Sequence, residues 1–563
     1  MHDIIILTHQ QDIPGCKMLV PKFSSYSILI FDPVLLDQAI LAGLNHTRLI
    51  IWENPPAYAE RNAQAHAAAF QLESELNSAV RDLLPETSIE SWQHLRWYYF
   101  FLTISWYSPL WETLGHHFTD CSLHILVCDQ PLVYYFNSFV PSWLLIQYAA
   151  KHRIPFTTYS YGATINPPCL IPDLGGQAPE ADAGFLLTHL PSCIYDIAYF
   201  NEEISSTGKP SVNIQSTRFD VPTFATRNIG FIPMEKTEGL SQELLNSQLT
   251  PFANRITSLL SDRITSHMGL GRFTQAQVDI ASTHYLLQLL TYLKLNDHFR
   301  LSRPSHLLLS DHDTDFHGPL VSFARLHQVP ITLLPHSKVT YDIAYKDAGM
   351  TALTHSIQGG DILDGNNRLV TRFAIRYPSK SIQLSPTKAR LQKIGILLNA
   401  ISLNGVYFCD YQAYLVGLKT ITSWCRLHNL AVDIRGKPNY TLLHALAAEL
   451  EIPIADLFRT LSRPLSEFAD NCDLCLMFGA PTSAAIELFS RSLPILNPIQ
   501  EPLARPFLVG TPPDLIPRES VEKTLERLSL FQSDPALFIQ FRAEQFAKYK
   551  GLLQSANPLR SYL

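Results

Sequence analysis

The stretch CDLCLMFGAPTSAAIELFSRSLPILNP, residues 472–498, decides the fold class of this chain. It begins with a short apolar run, continues through a turn at Gly479 and a helical segment from Thr482 to Arg491, and ends in a second apolar run. Two short apolar runs joined by a helical segment are typical of a parallel β-α-β unit. The stretch therefore predicts an α/β fold in which parallel strands are buried between helices.

The same alternation continues through most of the chain. The runs that we predict as further strands are DIIILTH, YSILIFD, RLIIWEN, LHILVCD, PFTTYSY, GFLLTH, SHLLLSD, VPITLLPH, KIGILLNA and LAVDIRG. The pattern loosens at residues 350–390, where turn-forming residues and prolines accumulate. We therefore predict a domain junction there, with domains at residues 1–375 and 376–520 and C-terminal helices at 521–563 that pack back on the body.

Composition excludes two broad classes of protein. Hydrophobic residues make up 46% of the 563 residues and charged residues only 17%, so the chain can bury a large core and is not globally disordered. The formal net charge is −7, with 43 Lys and Arg against 50 Asp and Glu. Because duplex-binding proteins concentrate basic residues, we predict no nucleic-acid partner.

Cysteine usage and the N-terminus indicate a reducing compartment. The nine cysteines are scattered and odd in number, and several lie in apolar runs, where a thiol acts as a small hydrophobe. Cys472-x-x-Cys475 has zinc spacing but lies in a predicted strand without a second ligand pair nearby, so we interpret it as core. The N-terminus MHDIIILTHQ lacks the basic region of a signal peptide and predicts a first strand. We expect a cytoplasmic protein.

Two apolar segments are candidates for membrane spans. The aromatic run from Trp97 to Trp111 is shorter than the ~20 residues that cross a bilayer, and polar residues and a proline interrupt Pro131 to Ala150. We predict that both are buried helices. The alternative is that the aromatic run rests on a membrane surface, which would make the protein peripheral at the inner membrane.

The densest group of titratable residues is DHDTDFH, residues 311–317, directly after the predicted strand HLLLS. Carboxylates and imidazoles so close together raise or lower each other's pKa, which is typical of a reactive site. We predict that Asp311 or Asp313 acts as general base or nucleophile. His336 closes the next predicted strand and would lie beside Asp311 if the two strands are neighbours.

Other interpretations of these residues stay open. The aspartates could cap the following helix from a solvated loop, the Asp-x-Asp pair could bind Mg²⁺ or Mn²⁺, and His336 could be structural. Glu53 and Asp129 follow other predicted strands and are secondary candidates for the same crevice.

The C-terminal half carries an anion-binding pattern. The backbone N–H groups where the 482–491 helix begins favour a phosphate or carboxylate, and a Glu one turn into that helix is spaced to reach a ribose hydroxyl. Two positively charged residues, Arg435 and Lys437, follow the predicted strand LAVDI and suit a phosphate. The polar turn NAISLNG, residues 399–405, follows the apolar run KIGILL. The predicted nucleotide-binding residues are Arg435, Lys437, Gly479, Thr482, Ser483, Glu487 and Asn404.

The pattern over residues 393–498 resembles the donor half of GT-B glycosyltransferases, in which two Rossmann-like domains face each other across a cleft. The Gly-x-x-(Thr/Ser)-Ser-x-x-x-Glu segment and the Arg-x-Lys-Pro strand end are similar to bacterial polysaccharide transferases that use CMP-activated ulosonic acids. These are the Kdo transferases of capsule and O-antigen synthesis and their sialic-acid-like relatives. Arg435-Gly436-Lys437-Pro438 stands where a sialyltransferase-type His-Pro would be expected.

The resemblance implies a nucleotide-sugar-dependent glycosyltransferase of surface-polysaccharide synthesis. Its partners would be a nucleotide sugar, with a CMP-sugar as the first expectation, and a glycan acceptor bound by the N-terminal domain. No cofactor or metal would be required. The residues are compatible with either a retaining or an inverting reaction. Two alternative functions also stay open. One is a non-catalytic scaffold that binds a partner or membrane, and the other is a UDP-sugar transferase or epimerase of the same fold.

Overall fold

A computed structural model describes the larger part of the chain. The described residues are 2–50, 52, 58–89, 92–118, 120–128, 140–161, 170–174, 184–190, 197–215, 225, 227–233, 245–269, 271–310, 316–334, 350–354, 360–363, 369–375, 390–399, 401–403, 406–407, 410–436, 443–479, 484–498, 515–554 and 559–563. They form three main sheets, here named the first, second and third sheet in chain order. No helix in these ranges is long and apolar enough to cross a membrane.

The first sheet has the strand order β3-β2-β1-β4-β5, and all its neighbouring strands are parallel. Its direction of winding reverses between β1 and β4. The elements are β1 His2–Leu7, α1 Asp12–Leu19, β2 Tyr26–Ile30, α2 Pro33–Leu41, β3 Thr47–Leu49, α3 Tyr58–Val80, α4 His94–Leu114, β4 Cys121–Cys128, α5 Val140–Lys151 and β5 Phe156–Tyr161.

Helix α4 contains the aromatic run and confirms that it is buried. Trp97, Trp106 and Trp111 are at most 1% exposed, and Tyr107 is buried with them. The Trp111 indole donates a 3.1 Å hydrogen bond to the carbonyl of Pro141, which fixes α4 against α5. The apolar patch on which the membrane-surface alternative depends is therefore inside the protein.

The second sheet has the order β14-β15-β13-β12-β11-β7-β8-β9. Its winding reverses between β7 and β11, and its neighbouring strands are parallel except for β14 against β15. The elements of this region are β6 Leu170–Pro172, β7 Leu186–His189, α6 Ile197–Ser205, β8 Ser211–Ile214, β9 Arg227–Ile229, β10 Phe231–Pro233, α7 Thr250–Met268, α8 Arg272–His298, β11 His306–Ser310, α9 His317–Leu326, β12 Ile331–Leu334, β13 Met350–Thr354, β14 Gly360–Leu363 and β15 Leu369–Ile375.

The loosened pattern at residues 350–390 contains strands rather than only turns. Strands β13, β14 and β15 extend the second sheet, and β14 is its antiparallel edge. Gly360 and Asp361 are tolerated in the edge strand β14 because one side of an edge strand needs no ladder partner.

The third sheet has the order β19-β16-β20-β21-β22 and is parallel throughout its described strands. Its winding reverses between β16 and β20. The elements are β16 Lys393–Leu398, β17 Ser402–Leu403, β18 Val406–Tyr407, α10 Tyr411–Leu427, β19 Ala431–Arg435, α11 Leu443–Leu450, α12 Ile454–Leu461, α13 Leu465–Asn471, β20 Leu474–Phe478, α14 Ala484–Ser490, β21 Ile495–Pro498, β22 Arg518–Glu519, α15 Val521–Ser533 and α16 Pro535–Gln554.

These sheets confirm the predicted α/β class, and the strands quoted from the sequence are all present. Every residue of β20 is buried, as expected for a strand with helices on both faces of its sheet. Cys472 and Cys475 are both buried in the core beneath α14, as predicted from their apolar surroundings.

The three sheets are joined by contacts between distant parts of the chain. Val34 of α2 belongs to the same core as Ile396 of β16 and Leu446 of α11, so the first sheet's helix packs on the third sheet's unit. After α16, the short 3₁₀ turn Leu559–Tyr562 reaches the second sheet, where Leu559 is buried against Leu308.

Gly395 in β16 tests the packing of the third sheet. A Cβ added there would lie 2.6 Å from Phe468 Cζ and 2.8 Å from Cys472 Sγ, both buried. We expect Gly395→Ala to lower the free energy of unfolding by about 1–3 kcal/mol through overpacking. Gly551→Ala in α16, where a Cβ meets no atom within 4 Å, should raise it by about 0.5–1 kcal/mol.

Denaturant unfolding of the two variants beside the wild type measures both signs. A Gly395→Ala protein as stable as the wild type would contradict the close packing of α13 on β16.

Candidate functional site

Only some of the predicted site residues fall within the described residues. Arg435, Gly479 and Glu487 do. Those that lie outside the described ranges are Asp311, Asp313, His336, Asn404, Lys437, Thr482, Ser483, Glu53 and Asp129. Among the described residues, no group of three His, Cys, Asp or Glu side chains is placed to hold a metal ion.

The carboxyl edge of the third sheet brings the described residues of the nucleotide pattern together. Arg435 is the register partner of Leu397 at the ends of β19 and β16. Paired residues of parallel strands point to the same face, so Arg435 lies on the face that carries Leu397. Helix α14 covers this face through Leu488 and carries Glu487. Residues predicted from separate motifs therefore meet at one edge.

The Arg435 guanidinium is half-buried and held in place by a neighbouring backbone. Its Nε donates a 3.0 Å hydrogen bond to the carbonyl oxygen of Arg463. Burial lowers the pKa of Arg435, while Glu487 and Cys475 act in the opposite direction. Arg463 is itself engaged by Asp433 at 3.1 Å. This leaves Arg435 as a fixed cation, within electrostatic reach of a carboxylate, at the strand edge.

Asn497 of β21 holds the turn that follows β20. Its Nδ2 donates to the carbonyl of Met477 at 2.6 Å and to that of Gly479 at 3.2 Å. Gly479 has a φ of +85°, a conformation that glycine adopts without strain. The side chain of Asn497 is 1% exposed, so these bonds form in a water-poor interior. Asn497 therefore holds the backbone from Met477 to Gly479, at the end of β20, in place.

Two amide atoms at this edge have no hydrogen-bond partner in the described part of the chain. They are Asn399 Nδ2 and Asn497 Oδ1, both buried. Asn399 follows β16, and its Cβ lies 3.7 Å from the position of a Cβ built on Gly479. A buried donor and a buried acceptor left unpaired cost about 1–3 kcal/mol each. Such atoms fit a site that a polar ligand or water completes.

The second sheet supports one step of the sequence argument for the catalytic loop. Strands β11 and β12 are parallel neighbours, with Ser310 opposite Leu334 at their ends. Asp311 and His336 follow these ends closely in the chain, although both lie outside the described residues. The predicted adjacency of the two strands is confirmed, whereas the acid–imidazole pair stays a prediction.

His189 is a residue at this same edge that the sequence analysis missed. It ends β7 opposite Leu309, at the point where the second sheet reverses its winding. The ring is 1% exposed, and its Nδ1 lies 2.9 Å from the carbonyl oxygen of Ile214. A carbonyl only accepts, so Nδ1 carries the proton and Nε2 of the neutral ring is the basic nitrogen. The Ile214 carbonyl therefore selects the tautomer of His189 that carries its proton on Nδ1.

The sequence carried a weak signal for His189. It is the last residue of the predicted strand GFLLTH, a position that faces the ligand crevice in a parallel sheet. Its importance depends on β7 being the neighbour of β11, although 116 residues separate the end of β7 from the start of β11. That neighbourhood is a property of the strand order and is absent from local sequence.

At the carboxyl edge of the first sheet, the described polar groups around Asp12 satisfy one another. Asp12 Oδ2 accepts from the backbone N–H groups of Thr8 and His9 at 2.8 and 2.9 Å. Tyr161 donates to Asp12 Oδ1 at 2.6 Å, and the Thr8 and Ser142 hydroxyls lie 2.9 Å apart. This arrangement closes the β1–α1 turn and has the character of a structural cap.

The buried Asp12 carboxyl predicts a pH-dependent stability. Burial raises its pKa from 3.8 to about 6, despite the hydrogen bonds that oppose this. Between these values the folded protein holds a proton that the unfolded chain has lost, so the free energy of unfolding falls as pH rises. Asn cannot titrate, so Asp12→Asn should lack this term, which is worth about 3 kcal/mol for two pKa units.

Denaturant unfolding of both proteins at pH 4, 5.5 and 7 measures the term. We expect the wild type to lose stability relative to Asp12→Asn as pH rises. A difference that is constant with pH would contradict the raised pKa.

Comparison with known proteins gives distant structural matches only. No family model matches the sequence, and no curated protein matches it. Among solved structures, MurG of Acinetobacter baumannii matches over 67% of this chain and 97% of its own, at 10% identity and a TM-score of 0.28. A putative UDP-N-acetylglucosamine 2-epimerase from Listeria monocytogenes matches over 67% and 92%, at 10% identity and a TM-score of 0.31.

Proposed function

We propose that this chain is a nucleotide-sugar-dependent glycosyltransferase of surface-polysaccharide synthesis. The donor nucleotide would bind at the carboxyl edge of the third sheet, and the glycan acceptor at that of the second. The first expectation for the donor is a CMP-activated Kdo or related ulosonic acid, which the sequence resemblance implies. A UDP-sugar transferase or epimerase is the alternative.

The observation that carries the proposal is the convergence at the end of β16 and β20. Ligands of doubly wound sheets bind where the strand order reverses, and this edge is such a point. Half-buried Arg435 supplies a fixed positive charge there, and Glu487 supplies a carboxylate suited to ribose hydroxyls. Asn399 Nδ2 and Asn497 Oδ1 supply a donor and an acceptor that no other described residue of the chain uses. A nucleotide offers a matching phosphate, sugar and base edge.

The negative charge that leaves with the nucleotide needs stabilisation during transfer. Arg435 would meet the phosphate, and we expect Lys437, Thr482 and Ser483 to complete its binding site. Fixed charges and dipoles in a partly buried site stabilise developing charge without reorganisation. On this proposal no metal or further cofactor is required for departure of the nucleotide.

The proton of the acceptor hydroxyl needs a base on the second sheet's side. Asp311 and Asp313 are the bases predicted from sequence, and His189 Nε2 is a further candidate because its tautomer is fixed by Ile214. In an inverting reaction the base takes the hydroxyl proton while the acceptor oxygen attacks the anomeric carbon. In a retaining reaction an aspartate could instead form a covalent glycosyl intermediate.

Nucleotide binding is the first test. We expect one of CMP, UDP, GDP and ADP at millimolar concentration to raise the melting temperature by a few degrees, because a ligand at 100 times its Kd adds about 2.7 kcal/mol. Arg435→Ala should weaken that nucleotide's affinity about tenfold or more, since a charge-assisted hydrogen bond contributes about 1.5–3 kcal/mol.

Arg459→Ala is the matched control for the loss of a cation. Arg459 lies on α12 of the same unit, with 77% of its side chain exposed and a local ion pair to Asp456. Its loss should leave nucleotide affinity unchanged. A shift with CMP alone would support the ulosonic-acid donor, a UDP-selective shift would favour the alternative, and no shift with any nucleotide would overturn the proposal.

The base is tested by substituting each candidate separately. Asp311→Ala, Asp313→Ala and His189→Asn are assayed for release of nucleotide from the donor sugar whose nucleotide binds. Asn keeps an N–H for Ile214 but has no basic nitrogen. Loss of general-base catalysis lowers turnover about 10²–10⁴-fold while leaving nucleotide affinity unchanged.

His306→Gln is the control for loss of a buried imidazole. His306 lies at the amino end of β11, where its Nε2 is 2.7 Å from the Thr332 hydroxyl, and burial lowers its pKa to about 4. Its substitution should leave turnover intact. If all three candidate variants retain full turnover, the second sheet does not supply the base.

A further inference from the structure

Strand β19 of the third sheet carries a buried carboxylate, that of Asp433, two residues before Arg435. Residues two apart in a strand point to the same face of the sheet, so Asp433 and Arg435 share one face. Asp433 is 3% exposed, and a carboxylate so far from water needs cations or hydrogen-bond donors around it. The partners of Asp433 therefore determine the surroundings of Arg435.

Two cations meet at the same oxygen of Asp433. Nη1 of Arg463 lies 3.1 Å from Oδ2, and Nζ of Lys393 lies 3.3 Å from it. Each cation is 32% exposed, whereas the carboxylate they share is buried, so solvent and salt screen these pairs less than surface pairs. One cation is enough to neutralise one carboxylate. Charge balance alone therefore does not explain why Arg463 is held here.

The backbone of Arg463 has a second partner. Arg463 lies in the link 462–464 between α12 and α13, directly before Pro464. The residue before a proline is restricted to extended conformations, which limits how the Arg463 backbone can turn. Its carbonyl oxygen accepts a 3.0 Å hydrogen bond from Nε of Arg435. Arg463 thus binds the carboxylate of β19 through its side chain and the guanidinium of β19 through its carbonyl.

The bond at Nε orients the whole guanidinium of Arg435. The group is planar, so a fixed direction of the Nε–H also fixes the plane in which its other N–H groups lie. A flexible Arg side chain loses conformational freedom when it binds a phosphate. Part of that loss has already occurred in the free protein if Nε is held. Arg435 is half-buried, and burial lowers its pKa while Glu487 acts in the opposite direction.

We infer that Arg463 is a positioning residue of the nucleotide site: its ion pair with Asp433 places its carbonyl so that Arg435 presents its guanidinium to the phosphate before the nucleotide binds. The inference rests on the proposed function and deepens it, because it names the residues that prepare the phosphate-binding cation. Arg463 and Asp433 act through Arg435 and do not touch the nucleotide. Lys393 balances the charge of Asp433 and has no part in the orientation.

Four substitutions separate positioning from charge balance. Arg463→Met removes the ion pair but keeps an unbranched side chain and the backbone carbonyl, and Lys393 still neutralises Asp433. Lys393→Met is the matched control, because it removes the other cation from the same oxygen. Asp433→Leu removes the carboxylate but fills its volume, and its two partly exposed cations can turn to solvent. Arg463→Lys restores a cation and tests rescue.

Solvent exchange of the Arg435 Nε–H reads the orientation without any nucleotide. It is measured by NMR of protein with isotope-labelled arginine, and the signal is assigned through its loss in Arg435→Lys. We expect exchange about fivefold faster or more in Arg463→Met and Asp433→Leu, and within about twofold of wild type in Lys393→Met, because only the first two release the acceptor. Arg463→Lys should lie closer to wild type than Arg463→Met. Unchanged exchange in both Arg463→Met and Asp433→Leu would overturn the inference, whatever the protein binds.

Nucleotide affinity then tests the consequence. With whichever of CMP, UDP, GDP and ADP stabilises the wild type, Kd should rise about threefold or more in Arg463→Met and stay within about twofold in Lys393→Met. Because Arg463 acts through Arg435, adding Arg463→Met to Arg435→Ala should not raise Kd further, which general structural damage would do.

Two results would overturn the positioning role: faster exchange with unchanged affinity in Arg463→Met, or the same rise in Kd whether or not Arg435 is present. A wild type that binds none of the four nucleotides would overturn the proposed function. The exchange result would still decide whether Arg463 orients Arg435, so the two failures are distinguishable.

Discussion

A parallel strand can reach its parallel neighbour only by crossing over one face of the sheet, and this constraint determines where the polar residues of this protein lie. Each crossover returns the chain to the same edge, so the loops after the strands collect at the carboxyl end. Every main sheet here also reverses its winding once. In doubly wound sheets the two crossovers at such a reversal run to opposite faces, and ligands bind in the crevice between them.

The carboxyl edges of the first and third sheets differ in how far their described polar groups are satisfied by the fold itself. In the first sheet, Asp12 accepts from Thr8, His9 and Tyr161, so its acceptors are used by the fold itself. In the third, Asn399 and Asn497 each keep one buried amide atom without a partner in the described part of the chain. A buried unpaired polar atom costs stability, and a fold tolerates that cost where a ligand or water later supplies the partner. The contrast favours the third sheet as a binding edge and the first as a structural one.

The sequence predicts local features well in this protein because they depend on residues near in the chain. The strand KIGILLNA, the helix from Tyr411 to Leu427 and the 472–498 unit follow from the spacing of apolar residues. The units that begin with LHILVCD and SHLLLSD occupy equivalent places in their sheets. β4-α5-β5 and β11-α9-β12 each begin with the strand just beyond the reversal of their sheet.

Features that depend on strand order or on contacts between units cannot be predicted from the local pattern of residues in the sequence. His189 becomes a candidate base only because β7 neighbours β11 and because Ile214 selects its tautomer. Asn497 stands inside the stretch that decided the fold, yet its bonds to the carbonyls beside Gly479 require β21 to lie next to β20. A side chain's hydrogen-bond partners are set by packing, which residue spacing along the chain does not encode.

Asp12 and Asp37 show how position converts the same chemistry into different roles. Burial raises the pKa of each carboxyl to about 6, and each accepts hydrogen bonds from backbone N–H groups. The backbone donors to Asp12 lie within four residues and Tyr161 belongs to the same sheet, so its bonds stay inside the first sheet's unit. The donor to Asp37 is 407 residues away, so forming its bonds requires two units to be docked. Such a cap makes the start of α11, in the third sheet's unit, depend on the presence of α2 from the first sheet's unit. A cap whose donor and acceptor lie in one unit creates no such dependence.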